Sequence, residues 1–161
     1  MKRAVIALGV AVLLGVVPAV LAQARPDFSG TWKLNAAKSG SITGNTPNIA
    51  FPSQLEVKQS PTEVSVLGTS VRQAPVKAVY KLDGSTVTVE APRGITETAQ
   101  AKLEGANVVI TSRRSFTSPA GETVINFKEV WTVSGAVLTI EKTRIEGTEN
   151  STEKAVYDKA A

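Results

Sequence analysis

An acidic residue stands where the pattern around it calls for an apolar one. In Ile125-x-Phe127-x-Glu129-x-Trp131-x-Val133, every second position is large and hydrophobic except Glu129. A period of two places all five on one face of a β-strand, so the carboxylate shares the face that seeks burial. Buried alone, an ionised carboxylate costs several kcal/mol, and a cation has to accompany it. The next segment, Leu138-x-Ile140-x-Lys142-x-Arg144, carries two. With Ser134-Gly135 as a two-residue turn, Lys142 falls opposite Phe127 and diagonally beside Glu129, and Arg144 lies one step further on the same face. Two readings fit this Glu129–Lys142/Arg144 cluster. It is either a polar anchor for a ligand headgroup in an otherwise apolar cavity, or a structural ion pair at a rim, with a local bulge turning Glu129 outward as a variant of the latter.

Other chemistry is hard to assemble from these residues. The 161 residues include no histidine and no cysteine, which removes the usual ligands of zinc, copper and haem and makes a Ser-His-Asp triad impossible. Ser151-Thr152-Glu153-Lys154 matches S-x-x-K, but it precedes a strand instead of opening a helix and lacks its S-D-N and K-T-G companions. There is no G-x-S-x-G and no phosphate loop. A second carboxylate near Glu129, as a glycosidase requires, is not offered by Glu141, which falls on the opposite face. The expectation is a protein that is not an enzyme and has neither cofactor nor metal, a carboxylate-dependent activity at Glu129 being the one exception to test. Nucleic acid is not an expected partner either. The basic residues are scattered, with Arg113-Arg114 as the one adjacent pair after the N-terminus, and two Trp, two Tyr and four Phe do not interleave a basic stripe.

The elements that must position Glu129 are strands. Period-two alternation dominates and no long 3.6-residue pattern occurs. Thr31 to Leu34 reads as a first strand. Asn35 to Ser53 reads as a long loop with one helical turn at Ala36-Ala37-Lys38, and alternation resumes at Leu55-x-Val57 and Val64-x-Val66 around a Ser60-Pro61 turn. Three hairpins follow. Asp83-Gly84 opposes Tyr80 to Val87 and Ala78 to Val89. Glu104-Gly105 opposes Ala101 to Val108 and Ala99 to Ile110, and Ser134-Gly135 opposes Trp131 to Leu138 and Glu129 to Ile140. Each register collects apolar residues on one face, and a slip of one residue would scatter them. Thr152 to Tyr157, with Ala155 and Tyr157 on one side, closes the set. Ala78, Ala99, Ala101 and Ala136 should face inward, where they would either leave open volume or let opposite walls approach. The fold expected is all-β, an antiparallel up-and-down meander of about 8–10 strands closed into a barrel, which removes its own edges; the alternative is a β-sandwich.

Position in the cell is written in the first residues. Met1-Lys2-Arg3 is basic, Ala4 to Val17 is unbroken apolar, and Pro18 leads into small residues ending at Ala22-Gln23-Ala24. That order marks a signal peptide over residues 1–24, cleaved after Ala22 or Ala24. The apolar run is shorter than the ~20 residues of a spanning helix, so no stable membrane span is expected after cleavage. Residues 25–161 then form one domain, exported to the periplasm or beyond, and the net charge falls from +4 to +2 as Lys2 and Arg3 leave. With no cysteine, its stability has to come from packing and strand ladders.

Asp27-Phe28-Ser29-Gly30-Thr31-Trp32-Lys33-Leu34-Asn35, followed by Lys38-Ser39, resembles the opening of bacterial exported lipocalin-like proteins. Within it, Gly30-x-Trp32 is similar to the G-x-W that begins the first strand of lipocalins and other calycins. The resemblance implies a calycin-like barrel in which Trp32 closes one end and a late-strand cation, Arg144 or Lys142, lies over the indole, a contact worth ~0.5–2 kcal/mol. The reading that follows is a binding protein for a small, largely apolar ligand, with Trp32, Tyr80, Phe127 and Trp131 lining or closing the barrel and Glu129, Lys142 and Arg144 as polar contacts. The alternative is a filled barrel serving as a structural or protein-interaction module of the cell envelope.

Overall fold

The computed structural model of the chain describes residues 25–43, 51–71, 73–91, 95–119 and 121–161. The expected signal segment, residues 1–24, lies outside these. Among the described residues no helix is long and apolar enough to cross a membrane.

The described chain is almost entirely strand: β1 (Gly30–Leu34), β2 (Gly40–Thr43), β3 (Gln54–Gln59), β4 (Glu63–Ser70), β5 (Gln73–Lys81), β6 (Val87–Ala91), β7 (Ile95–Glu104), β8 (Asn107–Ser118), β9 (Gly121–Ser134), β10 (Val137–Glu146) and β11 (Glu149–Lys159). Ten of them form one continuous antiparallel path, β5-β4-β3-β1-β11-β10-β9-β8-β7-β6. The path returns on itself because β1 bridges β3 and β11, bringing the first strand beside the last. One sheet encloses one core, so the barrel holds and the sandwich does not. β2 is the addition. It lies in the stretch read as loop, and it pairs with β11 through Gly40–Lys154, just beyond the part of β11 taken by β1. The helical turn before it is a 3-10 turn over Ala36–Lys38, capped by the Asn35 side chain accepting from the Lys38 amide at 3.2 Å.

Two hairpins keep the expected faces but not the expected partners. Leu103 opposes Val108 and Ala101 opposes Ile110, while Val133 opposes Leu138 and Trp131 opposes Ile140. The two-residue turns are Gly105-Ala106 and Gly135-Ala136, with glycine in the first central position at φ +61° and +58°. A primed turn needs positive φ at its first central residue, and glycine adopts it without strain. Each partner is displaced by two residues, and an even displacement leaves every side chain on its own face. Ala136, expected inside, is exposed in its turn.

The Asp83-Gly84 hairpin does not form. The Asp83 carboxylate accepts from the Ser85 amide and hydroxyl at 2.8 and 2.6 Å, and the Gly84 amide donates to the Ala101 carbonyl at 3.0 Å. These bonds carry the chain across toward β7, so β5 and β6 become the two ends of the sheet, lying side by side without a ladder between them. The inner face survives the broken pairing: Ala78, Tyr80, Val87 and Val89 all reach the common core.

One end of the barrel is stoppered by aromatic packing. Trp32, Phe28 and Tyr157 are fully buried, and the Trp32 indole N–H donates to the Phe28 carbonyl at 2.9 Å. Phe28 meets Trp131 edge-on, with centroids 6.5 Å apart. Gln59 fixes the incoming chain by accepting from the Phe28 amide and donating to the Pro26 carbonyl, both at 2.9 Å. Over the indole lies Lys159, its Nζ 5.3 Å from the ring, and neither Arg144 nor Lys142. The register explains the correction, since Lys159 directly opposes Trp32 across β1 and β11. It also explains the glycine of the motif: Gly30 has φ +141°, and a Cβ there would lie 2.7 Å from Cε of Lys159.

Trp32→Ala removes the buried indole and its hydrogen bond, and the expected cost is about 3–5 kcal/mol. Urea unfolding followed by circular dichroism measures it; a loss under 1 kcal/mol would show that this end of the barrel contributes little.

Candidate functional site

The shifted turn rearranges the charged cluster. Glu129 directly opposes Lys142, and Arg144 opposes Phe127. Lys142 Nζ lies 2.7 Å from Glu129 Oε1, and the Trp131 indole N–H donates to Glu129 Oε2 at 2.8 Å, so both carboxylate oxygens are engaged. The pair is interior, with side chains 19 % and 15 % exposed for Lys142 and Glu129. Glu129 is thus neither turned outward nor at a solvated rim. Burial works against its charge, but the Lys142 ammonium and the hydrogen bonds from Lys142 and Trp131 outweigh it. The net effect is a pKa below the ordinary carboxylate value.

A second pair stands beside the first. Arg114 Nε and Nη2 both donate to Glu97 Oε2, at 3.0 and 2.8 Å. The ring of Phe127 is held between the two cations, 5.1 Å from the Arg114 guanidinium carbon and 4.8 Å from Lys142 Nζ. Both pairs, together with Tyr80, Tyr157, Trp131, Ile140, Leu55 and Val66, line a cavity of about 140 Å3 inside the barrel, which extends to Ser70, Gln73 and Ala74 at the end away from Trp32. Burial raises the phenol pKa of Tyr80, and the charges of Glu129 and Glu97 raise it further. Tyr157 is raised by burial and by Glu129. Both phenols stay protonated and available as hydrogen-bond donors at any ordinary pH. Tyr157 uses its hydroxyl on the Pro52 carbonyl at 3.0 Å.

Of the expected contacts, Tyr80, Glu129, Trp131 and Lys142 come together on this cavity. Phe127 is buried behind the cations rather than on the wall, and Trp32 lies in the closed end. Arg144 is corrected: its guanidinium pairs with Glu146 and takes no part in the cluster. Lys142 takes the place directly opposite Glu129, and Arg144, level with Phe127, pairs instead with Glu146 two residues along its own strand.

The sequence reading overlooked Glu97, Arg114 and Tyr157 as site residues. Their signal was the same one that flagged Glu129, since Ile95-x-Glu97-x-Ala99-x-Ala101 and Ile110-x-Ser112-x-Arg114 each continue an inner face with a charge. Glu153 belongs there too, a buried carboxylate directly opposite Lys142 on the β11 side. Among the described residues, no group of three or more acidic side chains could hold a metal ion.

No protein-family model and no curated protein matches the chain. Its likeness is to solved structures. The zebrafish ileal bile acid-binding protein in complex with cholic acid aligns with a TM-score of 0.59 at 15% identity, covering 83% of this chain and 98% of that one. The REP1-NXSQ fatty acid transporter gives 0.51 at 8% identity, over 83% and 96% of the two chains. Apo lipid binding protein 8 of Caenorhabditis elegans gives 0.50 at 14%, over 83% and 95%. The shared property is the fold: a ten-stranded, nearly closed antiparallel barrel of calycin-like type.

The ion pair predicts opposite pH responses for two proteins. In the wild type, Glu129 has a lowered native pKa, so it stabilises the fold above the usual carboxylate range near pH 4.3 and that contribution is lost as pH falls through the native value. In Lys142→Met burial is opposed only by the Trp131 hydrogen bond, the native pKa of Glu129 rises, and stability grows as pH falls through it. The variant should lose about 3 kcal/mol at pH 7 and regain part of it near pH 4. Glu97, Arg114, Tyr80 and Tyr157 are common to both proteins, so the difference between the two urea-unfolding profiles reports the carboxylates that face Lys142, Glu129 and Glu153. Parallel profiles would refute the pairing.

Proposed function

We propose that this chain is an exported, non-enzymatic binding protein that holds a small, largely apolar molecule inside its barrel. The carrying observation is the interior cavity, whose wall combines Trp131, Ile140, Leu55 and Val66 with phenol and charged groups gathered at one place. Pockets that bind small molecules likewise combine apolar surface with convergent polar groups that fix a guest's orientation. The similar solved structures, a bile acid-binding protein, a fatty acid transporter and a lipid binding protein, support the reading through their common barrel. Export rests on the basic, apolar and small-residue order of residues 1–24, and the absence of histidine and cysteine supports a role without catalysis.

Volume sets the size of the guest. About 140 Å3 is below the ~300 Å3 at which drug-sized pockets begin, and it is close to the ~150 Å3 of an engineered apolar cavity in another protein that takes up benzene. The guest is a single ring or a short chain, smaller than a bile acid. The same volume favours the second reading, a packed barrel acting as an envelope module, if nothing occupies it.

Titration of the purified protein with toluene, benzyl alcohol and 1-hexanol, read by tryptophan fluorescence and thermal unfolding, separates the two. Saturable binding should raise stability by about 2.7 kcal/mol at one hundred times Kd. Ala78→Phe, which places a ring against the cavity wall, should weaken binding at least tenfold. Absence of saturable binding for the whole series would favour the packed module.

A further inference from the structure

We infer that the polar end of the guest is uncharged, a hydroxyl or carbonyl group, and that the barrel discriminates against carboxylates. This rests on the binding function just proposed and specifies its ligand class. Each interior cation already has a carboxylate of its own. Lys142 is 2.7 Å from Glu129, and Arg114 donates twice to Glu97. Both carboxylates and both cations line the cavity, so the charges of its wall are already matched within it.

An incoming anion therefore meets cations that are already engaged. To reach Lys142 or Arg114 it has to displace an internal carboxylate, which would then be buried without its partner, at a cost of several kcal/mol. A hydroxyl or carbonyl displaces nothing. Either one accepts from the protonated Tyr80 phenol, and a hydroxyl also donates to a carboxylate oxygen that already holds its cation. Among the described residues no buried side-chain polar atom lacks a hydrogen-bond partner, and both cations on the wall are held by carboxylates. A neutral polar group joins this network; a charged one has to break it. The point bears on the structural likeness, because cholic acid and fatty acids are ionised at neutral pH and this interior is built for a different headgroup.

The test compares matched pairs on the purified protein at pH 7, 1-hexanol against hexanoate and benzyl alcohol against benzoate, by calorimetry and tryptophan fluorescence. The alcohol of each pair should bind at least tenfold more tightly. In Glu129→Gln, which removes the carboxylate that holds Lys142 from within the cavity wall, the alcohol-to-carboxylate ratio should fall at least tenfold. Glu97→Gln tests the same point at Arg114 and serves if the first variant does not fold. Equal or tighter binding of the carboxylates by the wild type would overturn the inference, and so would a ratio that neither variant moves. If neither member of either pair binds, the binding function itself fails and takes this inference with it, an outcome distinct from binding with the opposite preference.

Discussion

Every strand of this barrel sends alternate side chains into a single shared interior, and a charge placed on that face has no exit. Lys142 cannot reach water by rotating to the other side of β10, because the pleat allots it to the same side as Leu138 and Ile140. Its partner has to come from the neighbouring strands. The ladders supply Glu129 from β9 and Glu153 from β11, both directly opposed to it. The constraint repeats one strand pair away, where Arg114 and Glu97 face each other across β8 and β7. Two ion pairs around one phenylalanine are thus a consequence of antiparallel register, and their interior position makes each dependent on the other member for its charge.

Parity was the part of the fold that the residues announced, and turn geometry was the part they left open. Gly105 and Gly135 each signal a two-residue turn, but a glycine suits either central position when both need positive φ. Placing it second instead of first moves every partner by two residues and no side chain to the other face. That is why the apolar sets around Trp131 and Ala101 survived while Lys142 and Arg144 each gained a different partner on β9. Asp83-Gly84 failed for a different reason. An Asp-Gly pair between alternating segments signals a hairpin only if nothing competes for its polar groups, and here Ser85 takes the carboxylate and Ala101 takes the Gly84 amide. Such competition depends on β7, more than a dozen residues away, and no local window contains it. The inner-face charges Glu97 and Arg114 were legible by the same alternation as Glu129, yet their flanking residues are alanine and serine, which mark an inner face less clearly than Phe127 and Trp131 do.

The closed end links a sequence motif to a physical requirement. Gly30 and Trp32 are two residues apart and so share a face, and Lys159 crosses that face from β11. Its stem passes where a Gly30 side chain would stand, and its ammonium then lies over the indole. The cation could not have been assigned without knowing that the first strand pairs with the last, a contact spanning the whole domain. The late-strand cation implied by the resemblance is present, but from the last strand and not from β10.

The alanines settle how much of the interior stays open. Ala99 and Ala101 are buried in the core and do not line the cavity, whereas Ala78 lines it. Small residues on β7 therefore let opposite walls approach, and the one on β5 leaves space. The volume that remains lies against β5 and β4, near the seam where β5 meets β6 without hydrogen bonds. An unladdered seam can widen with less loss than a paired one, because no inter-strand bonds have to break. The cavity borders the least constrained part of the barrel wall, while the ion pairs that define its polar side are anchored on β7 to β10, where the ladders are longest. Chemical selectivity and adjustable volume thus reside on different walls of the same interior.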